Sequence, residues 1–282
     1  MGWRSVGVLL CAAVFASCGG DGAGTGGQLE QPGAARVFAL EGFQPTSEIA
    51  EGKKTDVSFA IEQPSGKPLT DYAKGSGPHT GVHVLYVRTD LSTIIHRHPP
   101  VGADGKIDDP VTFKEPGKYR VVVDAYPATG VQKNFQLFDN VTVAGKAQDK
   151  PLPAFQQSQK VDGYTVSIAG TPKLKSLEAS LMTVNIIDPK GKPAKFTPYY
   201  GALAHAIFFR QGSLDYFHTH VCAPGAQGCT STLGASQVTG TAEKPGVLNV
   251  GVLLPVAGRW RLFVQVRADG HLLTAPFTLD VT

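Results

Sequence analysis

An internal duplication constrains this chain more than any other feature. Residues 81–98, GVHVLYVRTDLSTIIHRH, align with residues 203–220, LAHAIFFRQGSLDYFHTH, without a gap. Arg88 falls on Arg210 and Tyr86 on Phe208. The turn Pro64-Ser65-Gly66-Lys67-Pro68 recurs as Pro189-Lys190-Gly191-Lys192-Pro193, and PGKYRVVV (116–123) recurs as AGRWRLFV (257–264). Two copies are too few for a solenoid, which stacks more and shorter units. Tandem globular domains are expected instead, at 36–144 and 160–282, joined by a polar, proline-bearing connector at 145–159. The second copy carries an insertion between its H-x-H pair and its G-R-W-R segment, and this insertion holds Cys222 and Cys229.

Each copy is a series of short runs rich in β-branched and aromatic residues, such as DVSFAIE, VHVLYV and YRVVVDAY, then LMTVNII, HAIFF and WRLFVQV. Turns break them often, since the chain has 33 Gly and 20 Pro. Neither copy contains a long amphipathic helical pattern. The expected class is all-β, with antiparallel strands closed into a sandwich or barrel.

The duplication repeats a histidine pattern. His83 precedes the pair His96 and His98 by the same interval that separates His205 from His218 and His220. Each middle segment reads as a β-hairpin. With Gly212 and Ser213 at the centre of a two-residue type II′ turn, Gln211 pairs with Leu214 and His205 lies opposite His220. Side chains alternate along a strand, so His218 joins them on one face. The first copy reaches the same geometry around Asp90-Leu91, or around a wider loop in the same register. A slip of one residue would turn His83 away from its companions. The remaining positions on the histidine face are apolar: Leu85, Val87 and Ile94 in one copy, Ile207, Phe209 and Tyr216 in the other.

Neutral imidazole is a common ligand for zinc and copper(II). The spacing therefore predicts metal binding by His83, His96, His98, His205, His218 and His220, either as one copper(II) or zinc site per repeat or as one pooled interdomain site. Purely structural histidines, in an adhesion or assembly module, are the alternative. Copper(I) sites outside the cytoplasm use methionine sulfur, and the chain has only Met1 and Met182. A zinc hydrolase would need a carboxylate beside the site. No Asp or Glu recurs next to the histidines in both copies, and no catalytic motif is present, so the chain is not expected to be an enzyme. His79 and His271 fall outside the pattern and read as loop and surface residues.

The N-terminus reads as an export signal, with Arg4, the apolar run 6–15, and then Ala16-Ser17-Cys18. The run is too short to span a bilayer stably. Phe15-Ala16-Ser17-Cys18 resembles a bacterial lipobox, with Phe15 where leucine is usual. This makes 1–17 the signal peptide, Cys18 the lipidated first residue and glycine-rich 18–35 a flexible tether; an ordinary cleaved signal is the alternative. The expected location is extracytoplasmic, with the membrane contacted through the anchor alone. There Cys222 and Cys229 are expected to form a disulfide, with a Cys222 thiolate ligand as the alternative. The formal net charge of +3 includes no basic run, so nucleic acid is not an expected partner. The metal ion is the expected partner, alongside an unidentified protein of metal trafficking.

The G-K-P turn, the alternating strands and Pro255–Val264 resemble the extracytoplasmic domains called YtkA-like and FixH-like. His96 to Pro99 resembles the H-x-H-P element of secreted bacterial proteins grouped with heavy-metal-binding domains. This resemblance implies an immunoglobulin- or cupredoxin-like sandwich and a part in copper handling. In the second copy Val221 stands where that proline would be.

Overall fold

The apolar runs of the first repeat form seven strands: β1 (Ala39–Gln44), β2 (Lys54–Glu62), β3 (Val82–Arg88), β4 (Ile94–Arg97), β5 (Lys106–Thr112), β6 (Gly117–Ala125) and β7 (Phe135–Val143). They divide into two antiparallel sheets, ordered β1-β2-β5 and β4-β3-β6-β7. Alternate residues face inward and fill the space between the sheets: Val57, Phe59 and Ile61 from β2, Val82, Val84 and Tyr86 from β3, Tyr119, Val121 and Val123 from β6. The computed structural model describes residues 37–73, 81–130, 134–224 and 239–282. The expected signal peptide, Cys18, the tether, His79 and Cys229 lie outside them.

The second repeat has the same plan with additions. Its strands are β8 (Ser158–Val161), β9 (Tyr164–Ile168), β10 (Ser180–Ile187), β11 (Phe196–Thr197), β12 (Ala204–Arg210), β13 (Tyr216–Cys222), β14 (Gly240–Lys244), β15 (Val247–Val252), β16 (Gly258–Ala268) and β17 (His271–Val281). One layer contains β13, β12, β16 and β17; the other contains β15, β10, β9 and β8. The insertion supplies β14, which runs parallel to β13 and antiparallel to β15 and so joins the two layers along one edge. Trp260, Leu262, Val264, Phe208 and Val184 lie in the core between them. No described residue is helical. The chain is all-β, built from two immunoglobulin-like antiparallel sandwiches in tandem, as the sequence leads one to expect.

Local details recur in the two repeats. Ile49 bridges Val143 in parallel, and Leu174 bridges Val281 in the same way. Gly66 and Gly191, in the repeated G-K-P turns, both take φ of 79°. Arg88 donates from Nε to the Pro116 carbonyl at 2.9 Å, and Arg210 donates to Ala257 at 3.0 Å. A Cβ on Gly117 would come within 2.9 Å of the Arg88 guanidinium, and one on Gly258 within 2.9 Å of that of Arg210. The paired Arg and Gly of the two copies are thus one packing device used twice.

A sandwich sheet normally offers its outer face to water. Here β3 and β12 are buried on both faces, apart from the end of β12. The outward residues Leu85, Val87, Ile94 and Val122 of the first repeat meet Ile207, Phe209 and Phe263 of the second in a third apolar cluster. Burying each of these side chains contributes about 1.5–3 kcal/mol. This seam holds the two sandwiches face to face within one compact unit, Arg36–Thr282. The connector is fixed to the first sandwich: the Gln148 carbonyl accepts from Arg88 at 3.2 Å, the Lys150 amide donates to Asp90 at 2.9 Å, and Leu152 packs on the seam.

Candidate metal centre

Hairpin register decides where the histidines point. In β12–β13, His205 lies opposite His220 and Ile207 opposite His218. In β3–β4, Val84 pairs with Arg97 and Leu85 with His96, so His98, just past β4, continues the register toward His83. Both registers are as the sequence predicts, but the second turn is not. Arg210 bonds the Asp215 carbonyl at 2.9 Å and closes a wider loop of residues 211–214. Gly212 and Leu214 both take positive φ there, 89° and 60°, instead of Gly212-Ser213 forming a two-residue type II′ turn. The first hairpin has the wider loop too, with Leu91 at φ 63° and Asp90 Oδ1 accepting from the Ser92 amide at 3.0 Å.

Because the two sheets pack face to face, the structure pools all six histidines at one end of the seam. His83, His205 and His218 are fully buried, and His96, His220 and His98 are 3%, 6% and 9% exposed. The His83 ring stacks on His98 at 4.2 Å and lies 5.2 Å from the ring of His218 in the other sandwich. His96 lies 4.8 Å from His205, also across the seam. Three triads have ligand atoms mutually within 4.8 Å: His83/His218/His220, His83/His96/His98 and His96/His205/His218. His96 Nε2 and His98 Nε2 are 3.1 Å apart, as are His205 Nδ1 and His218 Nε2. A tetrahedral ion with metal–nitrogen bonds of about 2.0–2.1 Å places its ligand nitrogens about 3.3 Å apart. The spacing within each triad is of that order, so the cluster could hold a metal.

Any two of the three triads share a histidine. If each imidazole offers one lone pair, only one triad can be filled at a time. Burial first, then the neighbouring imidazoles, pushes His218 well below the ordinary histidine value, so the ring is neutral and keeps a lone pair for an ion.

A surrounding shell orients the rings. Asp124 is the β6 partner of His83, and its Oδ2 lies 3.4 Å from His83 Nδ1. The equivalent position in the second repeat is Gln265, the β16 partner of His205. Its Oε1 lies 3.0 Å from Nδ1 of His96 in the other repeat. Asp124 accepts from Asn134 at 2.8 Å, Gln136 at 2.9 Å, and the hydroxyls of Tyr126 and Tyr216 at 3.3 Å each. The Tyr216 contact crosses the seam. Burial raises the Asp124 pKa, and these four donors offset that rise only in part. At the rim, the Tyr199 carbonyl lies 2.8 Å from His205 Nε2, and the Tyr200 ring stacks on His98 at 3.9 Å.

Sequence reasoning did not reach Asp124, Gln265, Tyr199 or Tyr200. Asp124 follows the repeated RVVV run directly, and counting along the β6 strand would have placed it on the histidine face. Tyr216 lies on that face, as the alternation along its strand predicts. Cys222 is disulfide-bonded, which removes it as a thiolate ligand. His271 begins β17 and is exposed, as expected of a surface residue.

Residues 159–282 match a family described as a domain of unknown function (DUF8832). No curated protein matches the chain. Among solved structures, invasin, titled a bacterial integrin-binding protein, is similar over 87% of this chain, with 16% identity and a TM-score of 0.25. A tetra-tandem repeat from the extending region of a large adhesion protein is similar over 86%, with 11% identity and a TM-score of 0.27. The chain spans 39% and 49% of those two chains. The fibronectin(III)-like modules of Clostridium thermocellum CbhA are similar over 87% of this chain and 93% of theirs, with 12% identity and a TM-score of 0.22.

Proposed function

We propose that the protein binds one divalent transition-metal ion per chain at the seam between its sandwiches, copper(II) ahead of zinc. The reading rests on one observation: six buried histidines from two separate hairpins converge so that three of them at a time can reach a common ion. An all-imidazole set suits copper(II) and zinc, and copper(II) stands higher in the general affinity order. Met182 belongs to the second sandwich core, so thioether sulfur does not contribute to the cluster.

The ion is bound for sequestration, sensing or delivery. The lipobox-like start and the glycine-rich tether support an extracytoplasmic protein held to the membrane by lipid on Cys18. Asp124 supplies the carboxylate that a zinc hydrolase would need near its ion. It is fully buried, however, and four donors occupy its oxygens, which favours an orienting role over that of a general base.

Calorimetric titration of chelator-treated protein with copper(II) and with zinc tests the proposal. One ion per chain is expected. At a free ion concentration of about 100 times Kd the native state gains about 2.7 kcal/mol, which corresponds to a rise in Tm of roughly 5–10 °C for a chain of this size. A flat titration and an unchanged Tm with both ions would refute it.

A further inference from the structure

We infer that Asp124 is the counter-charge of the bound ion, acting through His83, and that a dication is therefore held in one of the two triads that contain His83. The inference rests on the metal-binding reading above. A dication ligated by neutral imidazoles alone carries its full charge into a region of low dielectric, which is costly without an opposite charge nearby. Among the described residues, Asp109 and Asp124 are buried, and the Asp90 side chain is 4% exposed but is paired with Arg88. Asp109 is already matched by Arg97 Nε at 3.0 Å. Asp124 has four neutral hydrogen-bond donors, and the basic group at ion-pair distance is the His83 imidazole at 3.4 Å. Asp124 thus places a carboxylate next to a site that would take a cation.

Asp124 Oδ2 approaches His83 Nδ1 at 3.4 Å, which favours Nε2 as the atom that would face an ion, since a carboxylate beside a metal-bound histidine orients its ring. The second repeat breaks the symmetry. Its equivalent residue, Gln265, is uncharged and holds His96, a member of the triad His96/His205/His218. Asp124 is thus a positioning residue that also selects ionic charge. An extra negative charge favours a dication over a monocation, whereas a merely structural residue would affect both alike.

Titration of the protein with copper(II), zinc and silver(I) separates these roles. Asp124→Asn is expected to weaken copper(II) and zinc by about 10–100-fold and silver(I) much less. Adding Gln265→Glu to that variant, which returns a carboxylate to the cluster beside His96, is expected to recover copper(II) affinity. Gln265→Glu in the otherwise native protein is expected to strengthen copper(II) binding, and it keeps the test alive if Asp124→Asn does not fold. Equal losses for copper(II) and silver(I), no loss for either, or no gain from the added carboxylate would overturn the inference while leaving metal binding intact. Absence of binding by the native protein would overturn the metal reading, and this inference with it.

Discussion

The two repeats share their histidines but not the residues that support them. Both present the same three imidazoles from the same hairpin register. Yet His83 is backed by the buried carboxyl group of Asp124, and the matching residue in the second repeat is the amide Gln265. Tyr86 of the first repeat bonds buried Asp109 at 2.9 Å, where the second has Phe208. The first repeat also encloses its turn arginine: the Arg88 side chain is 3% exposed, against 31% for Arg210. The two copies therefore match in their histidines and differ in the residues around them.

The largest expected effect comes from breaking what the halves share. Phe209→Ala empties a fully buried ring position in the seam and should cost about 3–5 kcal/mol in chemical denaturation. It should also weaken metal binding, because the seam sets the distance between the two histidine groups. An equal stability loss with unaltered binding would uncouple the seam from the site.

The next contrast concerns the turn arginines. Arg88 bonds Asp90, Pro116 and Gln148 in an enclosed setting, and Asp90 also accepts from Ser92 and Lys150. Asp90→Ala should cost about 1.5–3 kcal/mol, the range for buried hydrogen bonds to charged groups. Asp215→Ala, whose ion pair with Arg210 spans 3.6 Å and is partly exposed, should cost less than about 1 kcal/mol. Similar melting temperatures for the two variants would show that the arginines are equivalent after all. Gly117→Ala and Gly258→Ala, both at positive φ (127° and 135°), sharpen the same contrast. Each should cost about 1–3 kcal/mol from backbone strain, with Gly117→Ala the worse because the enclosed Arg88 has less room to move aside.

The last contrast is with pH. His218 stays neutral in the folded, metal-free protein well below its ordinary value, while in the unfolded chain it takes up a proton near 6.5. The unfolded state then binds more protons, so the contribution of His218 is complete above about pH 6.5 and is lost as pH falls further. Urea midpoints in chelator should drop from pH 7 to pH 5, and His218→Gln should flatten that slope. An unchanged slope in the variant would remove His218 as its source.

Much of this was readable along the chain. The strand period of two fixes which residues share a face, so the register of His83 with His98 and of His205 with His220 could be worked out from spacing alone. Runs with no charged position, such as VHVLYV and HAIFF, belong to strands covered on both sides. What spacing does not give is which strands become neighbours. Asp124 and Gln265 reach the histidines because β6 pairs with β3 and β16 with β12, and the six rings meet because two outer faces meet. The second hairpin loop misled for a local reason. Leu214 takes a left-handed conformation that side chains rarely adopt, and this shifts the turn without disturbing the register. Tyr200, at φ 48° beside Gly201, reaches His98 through a similarly unusual backbone.

The central claim, one site shared by two halves, is tested most directly by copper(II) titration of the His83→Ala/His96→Ala double variant, with its fold checked by thermal unfolding in chelator. Every triad in the cluster contains His83 or His96, while His205, His218 and His220 all remain in place. A shared site predicts that tight binding disappears. Retention of one ion at native affinity by the untouched second repeat would contradict it.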